Sequence, residues 1–209
     1  MLRKAGIASK KRVLDLGAGT GEVLPELNRR AQGMAVGLDA DRAVLRLAGG
    51  MRVVGDAGAL PFPDETFDLV FAQMFFLWAA PLEAAIEAVY RILVPGGHVI
   101  AAAEPDYGGT IVHPPEAGAG LHKFTDALRG EGADTEVGRK LGPLLERAGF
   151  RVECGVHPAR PLEAGRPESV FAAPELCAPS DDLEFLFVPY FYFLGVKCRS
   201  QGPPAEPAA

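Results

Sequence analysis

A short apolar segment that runs straight into three closely spaced glycines constrains the fold of this chain most strongly. The segment is Arg12–Leu16, and the glycines are Gly17, Gly19 and Gly21. Such a segment is typical of a buried parallel strand that ends in a tight turn before a helix. Glycines let the backbone approach a ligand closely, and the helix end exposes unpaired N–H groups. The pattern predicts an α/β fold with a ligand site at the turn, and the alternative is a plain strand–helix turn.

Apolar segments alternate with helical patterns over the first half of the chain. Such alternation indicates a parallel sheet with helices on both faces. Strands are predicted at 12–16, 34–38, 51–54, 67–72, 98–103, 150–156 and 185–197, and helices at 22–30, 41–47, 81–93, 117–129 and 135–148. Residues 105–115 read as a loop. The predicted fold is α/β, a doubly wound, Rossmann-like, mostly parallel seven-stranded sheet with a C-terminal antiparallel hairpin, in three α/β/α layers.

The composition indicates one globular domain, predicted over residues 1–199 with a disordered tail at 200–209. The net charge of −6 disfavours a role in gripping nucleic acid. Three scattered cysteines form no CxxC pair, so we expect no metal site and a reduced, cytoplasmic compartment. No apolar window approaches the ~18 residues of a membrane span, so we expect no membrane partner.

Ligands of doubly wound sheets bind at the carboxyl ends of the strands. Asp39, Asp56, Gln73 and Glu104 follow predicted strands and are expected to face that crevice. Asp39 lies about 20 residues beyond the glycine turn, where a carboxylate can accept both hydroxyls of a ribose. Asp39 and Asp41 both precede a predicted helix, so either could instead be its N-cap.

Four segments occur in a characteristic order and spacing over roughly residues 10 to 104. They are Val13-Leu14-Asp15-Leu16-Gly17-Ala18-Gly19-Thr20-Gly21, Gly37-Leu38-Asp39, Gly55-Asp56-Ala57 with Leu60-Pro61-Phe62 and Phe67-Asp68-Leu69-Val70, and Leu93-Val94-Pro95-Gly96-Gly97. Together they resemble the class I methyltransferases that use S-adenosylmethionine, in particular the methyltransferase type 11 group. Segments 104–109, 137–141 and 148–150 extend the likeness over most of the chain.

The resemblance implies S-adenosylmethionine as cofactor and S-adenosylhomocysteine as product. Asp15 would help to hold the ammonium, directly or through water, and Asp39 would bind the ribose hydroxyls. Asp56 would accept from the adenine amino group, and the Ala57 N–H would face a ring nitrogen. The implied cofactor-binding residues are Asp15, Gly17, Ala18, Gly19, Thr20, Asp39, Ala40, Asp56, Ala57, Gln73 and Met74. An ordinary turn aspartate is the alternative for Asp56.

Methyl transfer from a sulfonium depends largely on in-line positioning and desolvation, and some acceptors also need a base. Candidate bases near the crevice are Glu104, Tyr107 and His113, with Asp106 beside them. Phe75 and Trp78 follow the fourth strand and are expected to line an apolar acceptor pocket, with core packing as the alternative.

These observations predict a methyltransferase acting on a small or medium-sized molecule, as a monomer or homodimer. The alternatives are a non-catalytic protein that binds S-adenosylmethionine or S-adenosylhomocysteine, and an NAD-dependent dehydrogenase. The GxGxG spacing disfavours the dehydrogenase. RNA methylation is disfavoured by the acidic balance and by the absence of an Asn-Pro-Pro-Tyr-type tetrapeptide after strand four. Relatives commonly carry a covering helical segment before the first strand, where this chain has about a dozen residues. We therefore expect an open site, a lid supplied elsewhere, or a sequence that begins late.

Overall fold

The computed structural model describes residues 1–158 and 184–198. The strands are β1 Arg12–Leu16, β2 Met34–Asp39, β3 Met51–Val54, β4 Phe67–Gln73, β5 Leu93–Pro105, β6 Ile111–His113, β7 Phe150–Val156, β8 Phe185–Phe187 and β9 Tyr190–Lys197. Seven of them form one sheet in the order β3-β2-β1-β4-β5-β9-β7. The helices are α1 Leu24–Arg30, α2 Arg42–Leu45, α3 Leu82–Ile92, α4 Ala119–Gly130 and α5 Val137–Arg147.

Strands β1 to β5 pair in parallel, and β9 lies antiparallel between β5 and β7. The predicted fold class, with its antiparallel C-terminal pair, is therefore confirmed. Strand β1 is mostly apolar because both faces of the sheet are covered, and Val13, Leu14 and Leu16 are fully buried. Pro25 lies in the first turn of α1, where its missing N–H removes no helical hydrogen bond.

Two apolar clusters cover the two faces of the sheet. One joins the sheet to α3 and α5, with Ile86, Val89 and Leu141 at its centre. The other joins it to α1, α2 and the N-terminal segment, including Leu27 and Ile7. This arrangement gives the three layers that the sequence predicts, and it leaves the carboxyl ends of the parallel strands free to form a site.

The structure departs from the sequence predictions from β5 onwards. Strand β5 begins at Leu93 and ends at Pro105, whereas the sequence predicts a strand only at 98–103. The prediction of a loop at 105–115 is wrong, because Ile111–His113 forms β6 and pairs antiparallel with Phe185–Phe187 in a small second sheet. The strand predicted at 185–197 is divided into β8 and β9 before Tyr190. Pro189 has no N–H to donate to a ladder, and its carbonyl accepts from the Asp106 N–H at 2.9 Å. The predicted tail at 200–209 lies outside the described residues.

Within the described ranges, every helix is too short or too polar to cross a bilayer.

Lys197 is 8% exposed and ends β9 beneath the last turn of α3. Its ammonium donates to the carbonyls of Tyr90 and Leu93 at 3.0 and 2.8 Å and lies 4.7 Å from the centre of the Tyr90 ring. Lys197→Met should lower the free energy of unfolding by about 2 kcal/mol, because two carbonyls lose a charged donor. Lys4→Met, which removes an exposed ion pair with Glu153, should leave the stability unchanged in the same urea titrations. Equal stability of wild type and Lys197→Met would contradict this role.

Candidate functional site

The glycine turn after β1 adopts a left-handed backbone at Gly17, Gly19 and Gly21, with φ of 73°, 53° and 79°. The N–H groups of Gly17 and Ala18 donate to the Leu38 carbonyl, which ties the turn to the end of β2. A Cβ at Gly17 would overlap the Phe75 ring, whereas a Cβ at Gly19 would meet nothing within 4 Å. Gly17 therefore serves close packing, and Gly19 faces open space into which a ligand can fit.

Asp39 ends β2 directly opposite this turn. Its Oδ2 accepts from the Gly19 N–H at 2.8 Å, and its Oδ1 accepts from the Asp41 N–H at 2.9 Å. Asp41 is the N-cap of α2 and accepts from Ala43 and Val44. The structure thus assigns the N-cap of α2 to Asp41 and leaves Asp39 bonded to the glycine turn. Each Asp39 oxygen has one bond to the backbone and retains acceptor capacity for a second donor.

Asp56 is exposed, and its Oδ1 accepts from the Gly58 N–H at 2.6 Å, so it caps the short 3-10 turn Ala57–Ala59. This is the turn aspartate that the sequence offered as the alternative role. The capping bond uses one oxygen and leaves the other available to a ligand.

A cavity of about 400 Å³ lies at the carboxyl ends of the parallel strands. Its walls come from the ends of β1, β2 and β4, the turn after β3 and the start of α3. The lining residues are Gly17, Leu38, Asp39, Ala40, Gly55, Asp56, Ala57, Gly58, Met74, Phe75, Trp78, Ala79, Ala80, Pro81 and Ala85. Among them are six of the predicted cofactor-binding residues and both predicted acceptor residues.

The other predicted cofactor-binding residues, Asp15, Ala18, Gly19, Thr20 and Gln73, do not line this cavity. Sequence reasoning missed the other residues that complete the wall, which are Leu38, Gly55, Gly58, the segment 79–81 and Ala85. Gly55 could have been predicted from the sequence, because it immediately precedes Asp56. In the structure a Cβ at Gly55 would lie 3.1 Å from both Leu38 and Pro61. Nothing in the sequence marks segment 79–81 as part of the site, because its position depends on where α3 packs.

Asp15 lies on β1, two residues before the turn, and is 3% exposed. Its Oδ2 has no hydrogen-bond partner. Burial, and secondarily the nearby charge of Asp39, raise the pKa of Asp15 to about 7. A buried carboxylate oxygen without a hydrogen-bond donor suits a cationic ligand group such as an ammonium.

The residues after β4 form a rigid turn that brings Phe75 and Trp78 to the cavity. Met74 has a φ of 49° and donates its N–H to the Ala102 carbonyl. Phe76 is fully buried and packs edge-on against Phe75 at 5.2 Å between ring centres. Trp78 is 45% exposed at the rim. An exposed tryptophan beside a cavity favours contact with a ligand over core packing.

The three predicted catalytic residues lie elsewhere than in the cavity lining. Glu104 is fully buried, and its Oε1 accepts from the Phe75 N–H at 3.1 Å. Tyr107 is buried and packs edge-on against Phe124. His113 is exposed on β6 and lies 3.4 Å from Glu184. The expectation that the strand-end position of Glu104 makes it face the crevice is wrong, because β5 turns at Ala103, where φ is 58°.

Asp106, the fourth candidate base, is 5% exposed and forms a two-pronged ion pair with Arg139 on α5, at 2.8 and 2.7 Å. Both its oxygens are engaged, so its position indicates that it holds the loop after β5 to α5. In the part of the chain that the structure describes, no group of three or more His, Cys, Asp or Glu is placed to hold a metal ion.

The buried carboxyls give a pH dependence of stability. Burial also raises the pKa of Glu104 to about 7. Between pH 5.5 and 7 the folded state therefore holds protons on Asp15 and Glu104 that the unfolded chain has released. The free energy of unfolding should fall as the pH rises from 5.5 to 8, by about 2 kcal/mol for each carboxyl. Asp15→Asn and Glu104→Gln should each flatten this slope in denaturant titrations at the two pH values. A stability that increases over this range would contradict the prediction.

The known proteins that this chain resembles in sequence and fold include several named methyltransferases. Residues 14–101 match a family model described as a methyltransferase domain. Malonyl-[acyl-carrier protein] O-methyltransferase 1 of Coxiella burnetii is 38% identical over 86 residues, which are 41% of this chain and 30% of that protein. Demethylmenaquinone methyltransferase of Thermus thermophilus is 40% identical over 100 residues, 43% of this chain and 46% of that protein. The chain thus spans less than half the length of these relatives.

A solved structure with the same fold is phosphoethanolamine N-methyltransferase 2 of Haemonchus contortus, in complex with phosphomonomethylethanolamine and S-adenosylhomocysteine. It superposes with a TM-score of 0.71 at 18% identity, covering 95% of this chain and 51% of that one. At this identity the likeness shows the fold alone.

Proposed function

We propose that this chain, which carries a class I S-adenosylmethionine-dependent methyltransferase domain at residues 14–101, transfers a methyl group to a small or medium-sized molecule in the cytoplasm. The observation that carries the proposal is the single cavity that joins Gly17, Asp39, Asp56 and Met74 to the aromatic side chains of Phe75 and Trp78. One end of this cavity offers carboxylates and a glycine turn, and the other offers an apolar wall.

Three separate observations indicate that S-adenosylmethionine fits the residues present. The Asp15 carboxylate has an oxygen without a donor, which suits an ammonium. Asp39 has acceptor capacity left for ribose hydroxyls. Open space above Gly19 lets a ligand lie against the backbone of the turn.

S-adenosylmethionine supplies a methyl group already activated by its sulfonium, so the chain needs to position and desolvate the reacting groups. Asp39, in the cavity wall, would bind the ribose hydroxyls, and Asp15, which is buried and outside the lining, would help to hold the ammonium directly or through water. Phe75 and Met74 exclude water from the middle of the cavity. Trp78 holds the acceptor at the rim through its ring face.

Trp78→Ala should reduce methyl transfer more than cofactor affinity. We expect the KM for an acceptor to rise by about tenfold, because a large aromatic contact is lost, while the Kd for S-adenosylhomocysteine changes less than about threefold. The comparison needs acceptor kinetics and calorimetry on the same preparations. Equal losses in both quantities would indicate that Trp78 serves packing.

The test of the proposed function is transfer of radiolabelled methyl groups from S-adenosylmethionine to a panel of acceptors. The similar proteins act, by their names, on a malonyl carrier, a demethylmenaquinone and a phosphoethanolamine. The panel therefore contains carboxylates, quinols and amines, and Asp39→Ala serves as the negative control. We expect label in at least one class with wild type and less label with the variant when the cofactor is kept near its wild-type Kd. Tight binding of S-adenosylhomocysteine without transfer to any class would instead support a non-catalytic binding protein.

A further inference from the structure

Glu104 is buried completely although it is a carboxylic acid, and it is not part of the cavity wall. An apolar side chain of similar size would avoid the cost of removing a carboxyl group from water. Its Oε2 has no partner, whereas its Oε1 accepts from the Phe75 N–H at 3.1 Å. The carboxyl group is therefore placed against one particular turn, the segment 74–78 after β4.

That turn is fixed at three further points. The Met74 N–H donates to the Ala102 carbonyl at 3.0 Å, and the Leu77 carbonyl accepts from the Asp134 N–H at 2.7 Å. The Phe76 side chain is fully buried in the core. Met74 also holds a positive φ of 49°, a conformation that persists only where its surroundings determine it.

The segment 74–78 places the Phe75 ring directly on the glycine turn. A Cβ at Gly17 would lie 3.0 Å from Phe75 Cγ and closer still to the ring edge, so ring and turn backbone are in tight contact. Phe75 and Gly17 both line the cavity. A small movement of the Phe75 backbone would therefore change the wall at the point where the ligand crosses the turn.

We infer that Glu104 is a positioning residue for the cofactor: by accepting from the Phe75 N–H it holds the Phe75 ring on Gly17, and the ring in turn shapes the cavity. This inference rests on the proposed function, because it takes the cavity to be the cofactor site. Glu104 acts through Phe75 and does not itself touch the ligand.

The test is a double-mutant cycle read by calorimetric titration with S-adenosylhomocysteine. Glu104→Met removes the acceptor while keeping the length of the side chain, and should weaken binding by about three- to tenfold, the value of one hydrogen bond. Glu104→Gln keeps a carbonyl acceptor and should bind as wild type does. In the Phe75→Ala background, Glu104→Met should cause no further loss.

Lys197→Met is the matched control for general destabilisation, because it removes a buried ionisable side chain at the opposite end of β9 from the cavity-side contacts. It should leave the affinity unchanged. The inference would be overturned if Glu104→Met weakened binding of S-adenosylhomocysteine equally in wild type and in the Phe75→Ala background. It would also be overturned if Glu104→Met did not weaken binding at all. Should Glu104→Met fail to fold, Glu104→Ala takes its place. If neither folds while Glu104→Gln binds normally, the oxygen acceptor at position 104 is needed for folding and the inference is wrong.

The wild-type titration separates this inference from the proposed function. Absence of binding to wild type would contradict the proposed function itself. If wild type binds normally and the effects of Glu104→Met and Phe75→Ala on affinity are additive, the proposed function is unaffected and only the role of Glu104 is contradicted.

Discussion

Replacing Gly19 with valine should weaken the binding of S-adenosylhomocysteine by at least about 100-fold while the protein still folds. A Cβ at Gly19 meets nothing within 4 Å, so a larger side chain fits the protein itself. The same space is where we expect the ligand to cross the glycine turn. The valine would therefore exclude the ligand rather than disrupt the core.

The control for this variant must carry the same backbone strain, because a β-branched residue with positive φ is disfavoured by about 1–2 kcal/mol. Gly50 offers this match. Its φ is 82°, a Cβ there also meets nothing within 4 Å, and it precedes β3 at the end of the strand away from the cavity. Gly50→Val should lose similar stability in thermal unfolding and bind the ligand normally. Normal binding by Gly19→Val would show that the ligand does not pass over the turn.

Asp39→Ala should weaken binding of the same ligand by about 1–3 kcal/mol, which corresponds to roughly 5- to 150-fold. Two losses combine. The ribose hydroxyls lose a charged acceptor, and the Gly19 N–H loses the partner that holds the turn at 2.8 Å. Asp39→Asn keeps one oxygen acceptor and should bind with intermediate affinity.

Asp41→Ala is the matched control, since it removes a neighbouring carboxylate that caps α2 and does not line the cavity. It should lower the stability by about 1 kcal/mol and leave the affinity unchanged. An affinity loss of equal size in both variants would mean that the segment 39–41 acts only as structure, and unchanged affinity in Asp39→Ala would remove Asp39 from the ribose site.

The parallel half of the fold could be predicted because its signals are local. Each strand is a short, mostly apolar run, and the first three end at a glycine or an acid. Strands β1 to β4 therefore begin where the sequence predicts and end within a residue of the predicted position. The same strand-end rule placed Asp39 and Asp56 at one cavity, because parallel strands bring their carboxyl ends to one edge of the sheet.

The rest depends on contacts between distant parts of the chain. Strands β6 and β8 are three residues each and pair across more than seventy positions, so neither carries a periodic signal. Glu104 follows a predicted strand as Asp39 does, yet the left-handed backbone at Ala103 and a register shift between Ala101 and Glu104 turn Glu104 into the interior. No local sequence pattern predicts such a bulge.

The most direct test of the central claim is a calorimetric titration of wild-type protein with S-adenosylmethionine, S-adenosylhomocysteine and NAD in parallel. If the cavity is the cofactor site of a methyltransferase, both adenosyl ligands bind at one site per chain and NAD does not. Binding of NAD alone, or of none of the three, would contradict it.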